Sequence, residues 1–408
     1  MHAQRLAQDL ARIVGTEGVL TDSVALAAYD CDAYTIEKAL PTVVVLPTET
    51  AQVAEIMRYA CRVGVPVIPR GAGTGLSGGA LAVNGGMVVA TSRMNRILWV
   101  DTRNRSLRAQ AGAVNLHLSK AVAHAQLHFA PDPSSQGACT LGGNIAENSG
   151  GPHTLKYGVT VNHVTGVQGV LPDGEVVELG GEDDEPYGYD LVGLVVGSEG
   201  TLLFVTEAVV RLTPNPQSWC TLLAVFETLE DASQTVSEII ASGIIPAALE
   251  LMDALTLQAV ESAFQYGFPL DAEAVLLIEL DGLEAELPDE EAAVLSICAR
   301  HRAHEVRRAQ TPTERARLWN ARKKAIGALG RLAPSCVTQD GVIPRSKLPH
   351  VLREARQIAQ QYGLQLANVF HAGDGNLHPV LLFDDSDPDQ VARVVEAGDS
   401  LALPARGR

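Results

Sequence analysis

Residues Pro69 to Gly79 read PRGAGTGLSGG, a run almost free of side chains between two strand-like segments, Val65 to Pro69 and the MVVA within ALAVNGGMVVATS. Gly73, Gly75 and Gly78 satisfy G-x-G-x-x-G, and Asp101 follows the strand-like ILWV where a dinucleotide fold puts its ribose-binding acid. A Rossmann unit, however, needs a helix directly after the glycines, and here an Asn-Gly-Gly break and a second strand-like run follow. The absence of a following lysine rules out a P-loop. What remains is strand, loop, strand. Consecutive backbone N–H groups of such a loop can form an anion nest without a helix dipole; the alternative is a plain surface turn.

Further tracts narrow the choice. Pro131 to Gly158 (PDPSSQGACTLGGNIAENSGGPHTLKYG) holds almost no large side chains over a length unusual for a loop without a function, so backbone must approach something closely there. Gly197 to Thr201 (GSEGT) follows DLVGLVV and precedes the strand-like LLFVTEAVVRLTP. Upstream, Thr48 to Gly64 reads as a helix with a threonine N-cap and a glycine end.

A chain of 408 residues, 46% hydrophobic, is long enough for two packed domains. Its net charge of -17, with no basic block, argues against nucleic acid or an anionic membrane surface as partner. The N-terminal MHAQRLAQDLARIVG has helical spacing and no apolar core, so it is neither signal peptide nor membrane span, and a cytoplasmic location is expected. Six scattered cysteines without C-x-x-C point to reduced thiols rather than an iron–sulfur cluster; any such cluster would belong to a partner.

Residues His371 to His378 read HAGDGNLH, two imidazoles around a Gly/Asp/Asn turn that can bring two strand-borne rings to one point. This is half of a metal site or a hairpin with two surface histidines. Asp374 or Asn376 could orient the rings.

PRGAGTGLSGG, TLGGNIAENSGG, GSEGTL and HAGDGNLH, in that order, resemble the FAD-dependent α-hydroxy-acid dehydrogenases of the vanillyl-alcohol-oxidase (PCMH-type) superfamily, nearest to glycolate oxidase D subunits, with cytochrome-type D-lactate dehydrogenases next. The likeness runs from about Thr42 to Asp384. It implies an α+β fold: an N-terminal helical segment over 1–40, a PCMH-type FAD-binding domain of two α+β subdomains over 41–217, and an α+β (ferredoxin-like sheet) cap over 218–408, incomplete at its C-terminus. It further implies pyrophosphate contacts at Pro69, Arg70, Gly71, Ala72, Gly73, Thr74, Gly75, Leu76, Ser77 and Gly78. Flavin contacts would fall at Pro131, Asp132, Pro133, Thr140, Gly142, Gly143 and Asn144, and at Gly197, Ser198, Glu199, Gly200 and Thr201. Some relatives attach flavin through a histidine in the first loop; Thr74 and its neighbours offer none, so FAD is expected to be non-covalent.

From about Trp219 strands and helices alternate: LLAVFE, a helix opened by Thr228 with Asp231 three residues on, LELMD, another helix, AVLLIEL. In TPTERARLWNARKKAIGALGRLA, Arg322, Lys323 and Lys324 form either a solvated basic face or, at Arg322, a grip for a substrate carboxylate, matching a family motif resembling W-x-x-R. Gln339 stands where some relatives carry a substrate-contacting lysine, which favours a monocarboxylate, glycolate or lactate, over 2-hydroxyglutarate.

The resemblance implies oxidation of a small 2-hydroxy acid, with electrons passed to FAD-binding and iron–sulfur partner subunits at the inner membrane. His371 and His378 would be catalytic and hold a divalent metal (zinc, manganese or iron), which usually needs a third protein ligand. In the family, that ligand and the base come from a Gly-Glu-His-Gly motif further on, and the sequence after Asp384 has none, so the chain reads as cut short or frame-shifted. His153 is the one other histidine expected near the flavin; His117, His124, His128 and His163 read as structural or exposed. Two alternatives remain, an FAD-binding chain without turnover and an NAD-linked dehydrogenase.

Overall fold

The computed structural model describes residues 3–181 and 188–405. The sequence after Asp384 reads as a helical pattern that gives way to Gly, Pro and Arg, but the helix Pro388–Ala405 continues through Gly398 and Pro404; Arg406, Gly407 and Arg408 lie outside the described residues. The chain divides into two compact units, Met1–Gly151 with Gly158–Asn215, and Pro152–Tyr157 with Pro216–Arg408. Sequence pattern gives no sign of the short excursion at Pro152–Tyr157.

Three sheets lie in the first unit among the described residues, the smallest a two-stranded pairing of Leu127–His128 with Thr213–Pro214. In another, strands Val43–Val45, Met87–Ala90 and Val67–Arg70 run parallel, and Val19–Leu20 pairs antiparallel with Val43–Val45. Val43 to Val45 is buried throughout, as parallel strands covered on both faces must be. The helix Ala3–Val14 buries Leu6, Leu10 and Val14, spaced by four on one face, in the same core as Val53 and Ile56 of the helix Thr50–Val63. That second helix corrects the expected cap. Glu49, not Thr48, is the N-cap, while the Thr48 N–H and hydroxyl both donate to Gln52 Oε1; Gly64 does end the helix in the left-handed region.

The largest sheet of this unit is antiparallel, in the order Ile97–Asp101, Ser106–Gln110, Phe204–Arg211, Val164–Val170, Val176–Gly180. Its core holds Leu107, Val167, Ala208 and Val210 together with Leu118 of the helix Asn115–Val122 and Leu141 and Ile145 of a short helix, Leu141–Glu147. Asp101 caps a turn through the N–H groups of Arg103 and Asn104, and a strand, not a helix, follows the first glycine tract, so no dinucleotide fingerprint of the Rossmann kind is built. The second tract is less bare than its sequence suggests, with helical turns at Leu141–Glu147 and Thr154–Tyr157.

A nine-stranded antiparallel sheet carries the second unit among the described residues. Its central strands, Ser218–Phe226, Ala274–Gly282, Ala248–Asp253 and Gln365–His371, pair in that order. Side chains alternate across them: Leu222, Ala224 and Phe226 enter one core, Leu223 and Val225 the other. The helix Leu229–Ala241 starts as expected, with the Thr228 hydroxyl accepting from the Asp231 N–H. The helix Pro312–Ala328 covers the second face, where Ala321, Ala325 and Ala328 pack.

Close backbone approach, not conformation, requires glycine at Gly112: a Cβ there would overlap the Thr91 carbonyl oxygen, while the Gly112 N–H donates to Met94 O. Thermal unfolding should show Gly112→Ala losing about 3 kcal/mol by overpacking. Gly64→Ala, strained by φ +66 but with nothing within 4 Å of its Cβ, should lose about 1 kcal/mol.

Candidate active site

Three loops of the first unit meet. Gly71 packs so closely on Thr140 that a Cβ would lie 2.5 Å from its hydroxyl, and a Cβ on Gly200 would come within 3.2 Å of Pro69. The Gly197 and Glu199 N–H groups donate to Ile145 and Ala146 carbonyls of the short helix, which Thr140 caps through the Gly143 N–H. Asn115, which the sequence reading missed, ties Pro131 to Asn144: its Nδ2 donates to Pro131 O at 2.9 Å and lies 3.3 Å from Asn144 Oδ1. Asp132 backs onto Gly151, and Gly142 lies against Ala111.

Among the described residues, the backbone N–H groups from Gly71 to Gly79 donate to no protein acceptor. Donors left unpaired in this way are what an anion nest requires. Arg70 is not presented as a free cation. Its guanidinium is buried, donates to Cys31 O at 2.8 Å, lies over Tyr29 and sits under Gly73, so it braces the loop from behind.

In the second unit, two carboxylates stand in the sheet on the face covered by Pro312–Ala328. Glu250, with 0 % exposure, accepts from Arg322 Nη2 at 2.6 Å and faces His371 Nδ1 at 2.8 and 2.9 Å. The His378 ring meets His371 edge-to-face, with centroids 5.0 Å apart; its buried Nδ1 makes no hydrogen bond and lies 3.5 Å from Asp340 Oδ1. Arg322 Nε is also buried without a partner.

Glu279 is held by Arg315 (2.6 and 2.8 Å), Trp319 Nε1 (2.6 Å) and the Thr221 hydroxyl (2.7 Å). His153 Nε2 lies 3.5 Å from it, the imidazole stacked on Trp319 at 5.1 Å. Arg315, Trp319 and Arg322 fall at i, i+4 and i+7, one face of their helix. Burial alone would raise the Glu279 carboxyl, but its bonds from His153, Arg315 and Trp319 and the Arg315 charge prevail and hold it at about 2.

The turn departs from expectation in one respect. Asp374 and Asn376 do not orient the rings: Asp374 Oδ1 accepts from the Asn376 N–H, and Glu250 orients His371 instead. Burial raises the Asp374 carboxyl despite the nearby His371. The basic cluster also separates, because Arg322 is buried while Lys323 and Lys324 are exposed.

The model described as "FAD linked oxidases, C-terminal domain" matches residues 215–407, and that described as "FAD binding domain" matches 41–180. The chain is 45% identical over 389 residues to glycolate oxidase subunit GlcD of Escherichia coli (strain K12), covering 95% of this chain and 78% of that protein. The chain belongs to the FAD-linked oxidases. Identity is 40% to GlcD of Bacillus subtilis (strain 168), over 96% of this chain and 83% of that one, and 35% to a D-lactate dehydrogenase of Archaeoglobus fulgidus, over 85% and 79%. The fold matches p-cresol methylhydroxylase with a TM-score of 0.82 at 16% identity, covering 98% of this chain and 86% of that one. It matches an alkyldihydroxyacetonephosphate synthase with 0.81 at 19%, covering 99% and 81%.

The first unit of this FAD-linked oxidase fits its cofactor. The unpaired N–H run from Gly71 suits a pyrophosphate, and Ser198 Oγ is buried without a hydrogen-bond partner in the third loop. A metal fits less well. His371 and His378 supply two donors, and among the described residues no three His, Cys, Asp or Glu side chains converge on a metal position.

Sequence reading also missed Glu250 and Glu279. The available signal was a carboxylate inside each of two apolar strands, LELMD and AVLLIEL, costly unless paired. Because the folded value of Glu279 lies below its ordinary 4.5, its stabilisation is present above that pH and is lost as pH falls toward about 2. Acid titrations of unfolding should show Glu279→Gln losing about 3 kcal/mol near neutrality and flattening the acid-side fall of the wild type.

Proposed function

We propose that the chain is the FAD-binding catalytic subunit of a glycolate oxidase, oxidising glycolate, with D-lactate as second candidate, to the 2-oxo acid. The buried Arg322 guanidinium beside two edge-to-face imidazoles carries this reading: a guanidinium matches a carboxylate, and its unpartnered Nε leaves capacity for one more acceptor. Likeness to the two GlcD proteins supports it. The Arg70 to Gly79 loop would hold the pyrophosphate of non-covalent FAD, and Pro131 to Asn144 with Gly197 to Thr201 would hold its ring. When bound, the flavin accepts the hydride leaving the substrate Cα.

The rest falls to side chains. Arg322 holds the carboxylate and so fixes which hydrogen of Cα can leave. The hydroxyl proton passes to the imidazole pair, where the buried His378 Nδ1 makes no hydrogen bond among the described residues and lies 3.5 Å from Asp340 Oδ1. The pair would also donate to a divalent metal, but its two nitrogens fall short of a full ligand set and no step is routed through one. No helix among the described residues is long and apolar enough to cross a membrane. On this reading the chain works in the cytoplasm and reaches the inner membrane through partner subunits, including an iron–sulfur protein that takes its electrons.

Anaerobic addition of glycolate or D-lactate to the flavin-loaded chain should bleach the flavin absorbance, the faster acid being the substrate. An unchanged spectrum with both would overturn the proposal and leave a flavin-binding chain without turnover. Arg322→Lys keeps the charge beside Glu250 but loses the fork, and steady-state kinetics should show KM rising about 100-fold with a smaller change in kcat.

A further inference from the structure

We propose that Glu250 is the positioning residue of this site: one carboxylate, taking Arg322 and His371 together, fixes the His371 tautomer and limits how tightly Arg322 can hold an anion. This rests on the roles of Arg322 and His371 given above.

A carboxylate only accepts, so Arg322 Nη2 at 2.6 Å and His371 Nδ1 at 2.8 and 2.9 Å are two donors turned toward Glu250, and they lie 3.5 Å from each other. Nδ1 therefore carries the proton it gives to Glu250, and the His371 lone pair lies on Nε2. The strand pairing makes this arrangement rigid, because Glu250 and His371 are direct antiparallel partners in register. The Arg322 side chain is 2% exposed, so water does not screen the carboxylate 2.6 Å from its Nη2. A substrate carboxylate arriving at Arg322 meets a guanidinium already partly neutralised. Glu250 thus gives up anion affinity and gains an imidazole held in one tautomer and one orientation.

The test compares flavin-loaded full-length wild type, Glu250→Gln and Glu250→Asp. With 15N-histidine labelling, and His371→Gln to assign the signal, wild type should show His371 protonated at Nδ1 and not at Nε2. Glu250→Gln should lose that signature, lower kcat on glycolate about 10- to 100-fold, and bind oxamate, an inert monoanion, more tightly by calorimetry. Glu250→Asp, keeping the charge, should retain the tautomer and oxamate affinity near wild type. A wild-type His371 protonated at Nε2 would overturn the proposal, as would Glu250→Gln weakening oxamate in step with kcat, the mark of a merely structural role. Should Glu250→Gln fail to fold, the wild-type tautomer and the Glu250→Asp values still decide. Should wild type oxidise neither acid, the proposed function fails, while the tautomer and oxamate measurements judge Glu250 separately.

Discussion

A carboxylate with no exposure, on a strand buried from end to end, costs several kcal/mol to desolvate and is tolerated only where charge and hydrogen bonds surround it. Glu250 meets that condition through Arg322 and His371, and Glu279, on the neighbouring strand and the same sheet face, meets it through Arg315, Trp319 and Thr221. Both demands fall on the helix Pro312–Ala328, whose rotation about its axis is therefore set by polar contacts as well as by the small Ala321, Ala325 and Ala328. The turn after His371 follows from the same packing. Gly373 is wedged against Leu155 and Leu249, and its N–H donates to Leu249 O, so the second imidazole returns beside the first.

In the first unit the organising constraint is backbone proximity. Gly71 against Thr140, Gly200 against Pro69 and Gly142 against Ala111 leave no room for side chains. Of the loops they join, the first leaves its N–H groups from Gly71 to Gly79 without a backbone acceptor, while Gly197 and Glu199 donate to the short helix Leu141–Glu147. A stretch that cannot pair its own donors is stable in water and available to an anion, which suits a cofactor loop. Here Arg70 contributes stiffness, since its charge is turned to Cys31 and Tyr29 behind the loop.

Much of this was legible in the chain. Glycine spacing followed by a strand excluded a nucleotide-binding helix, because helix and strand place the same residues with different periods. Thr228 and Asp231 announced a helix start through local chemistry that holds in any fold. Thr48 did not, because the Gln52 side chain captured its N–H and hydroxyl and left Glu49 at the cap. Asp374 and Asn376 were the nearest polar neighbours in sequence to the two histidines, yet they serve the turn's own backbone. The residue that orients His371 lies 121 positions earlier and is its partner across two strands.

The sequence by itself determined the alternation of strands and helices, the side-chain-free loops and the pair of imidazoles flanking a turn, since each depends on residues a few positions apart. Only the tertiary structure decided which carboxylate faces which cation, that Arg322 is buried while Lys323 and Lys324 beside it are not, and that Pro152 to Tyr157 pack with the second unit. Those outcomes depend on strand register and helix rotation, which are settled by the joint burial of residues far apart in the chain, and no local pattern encodes them.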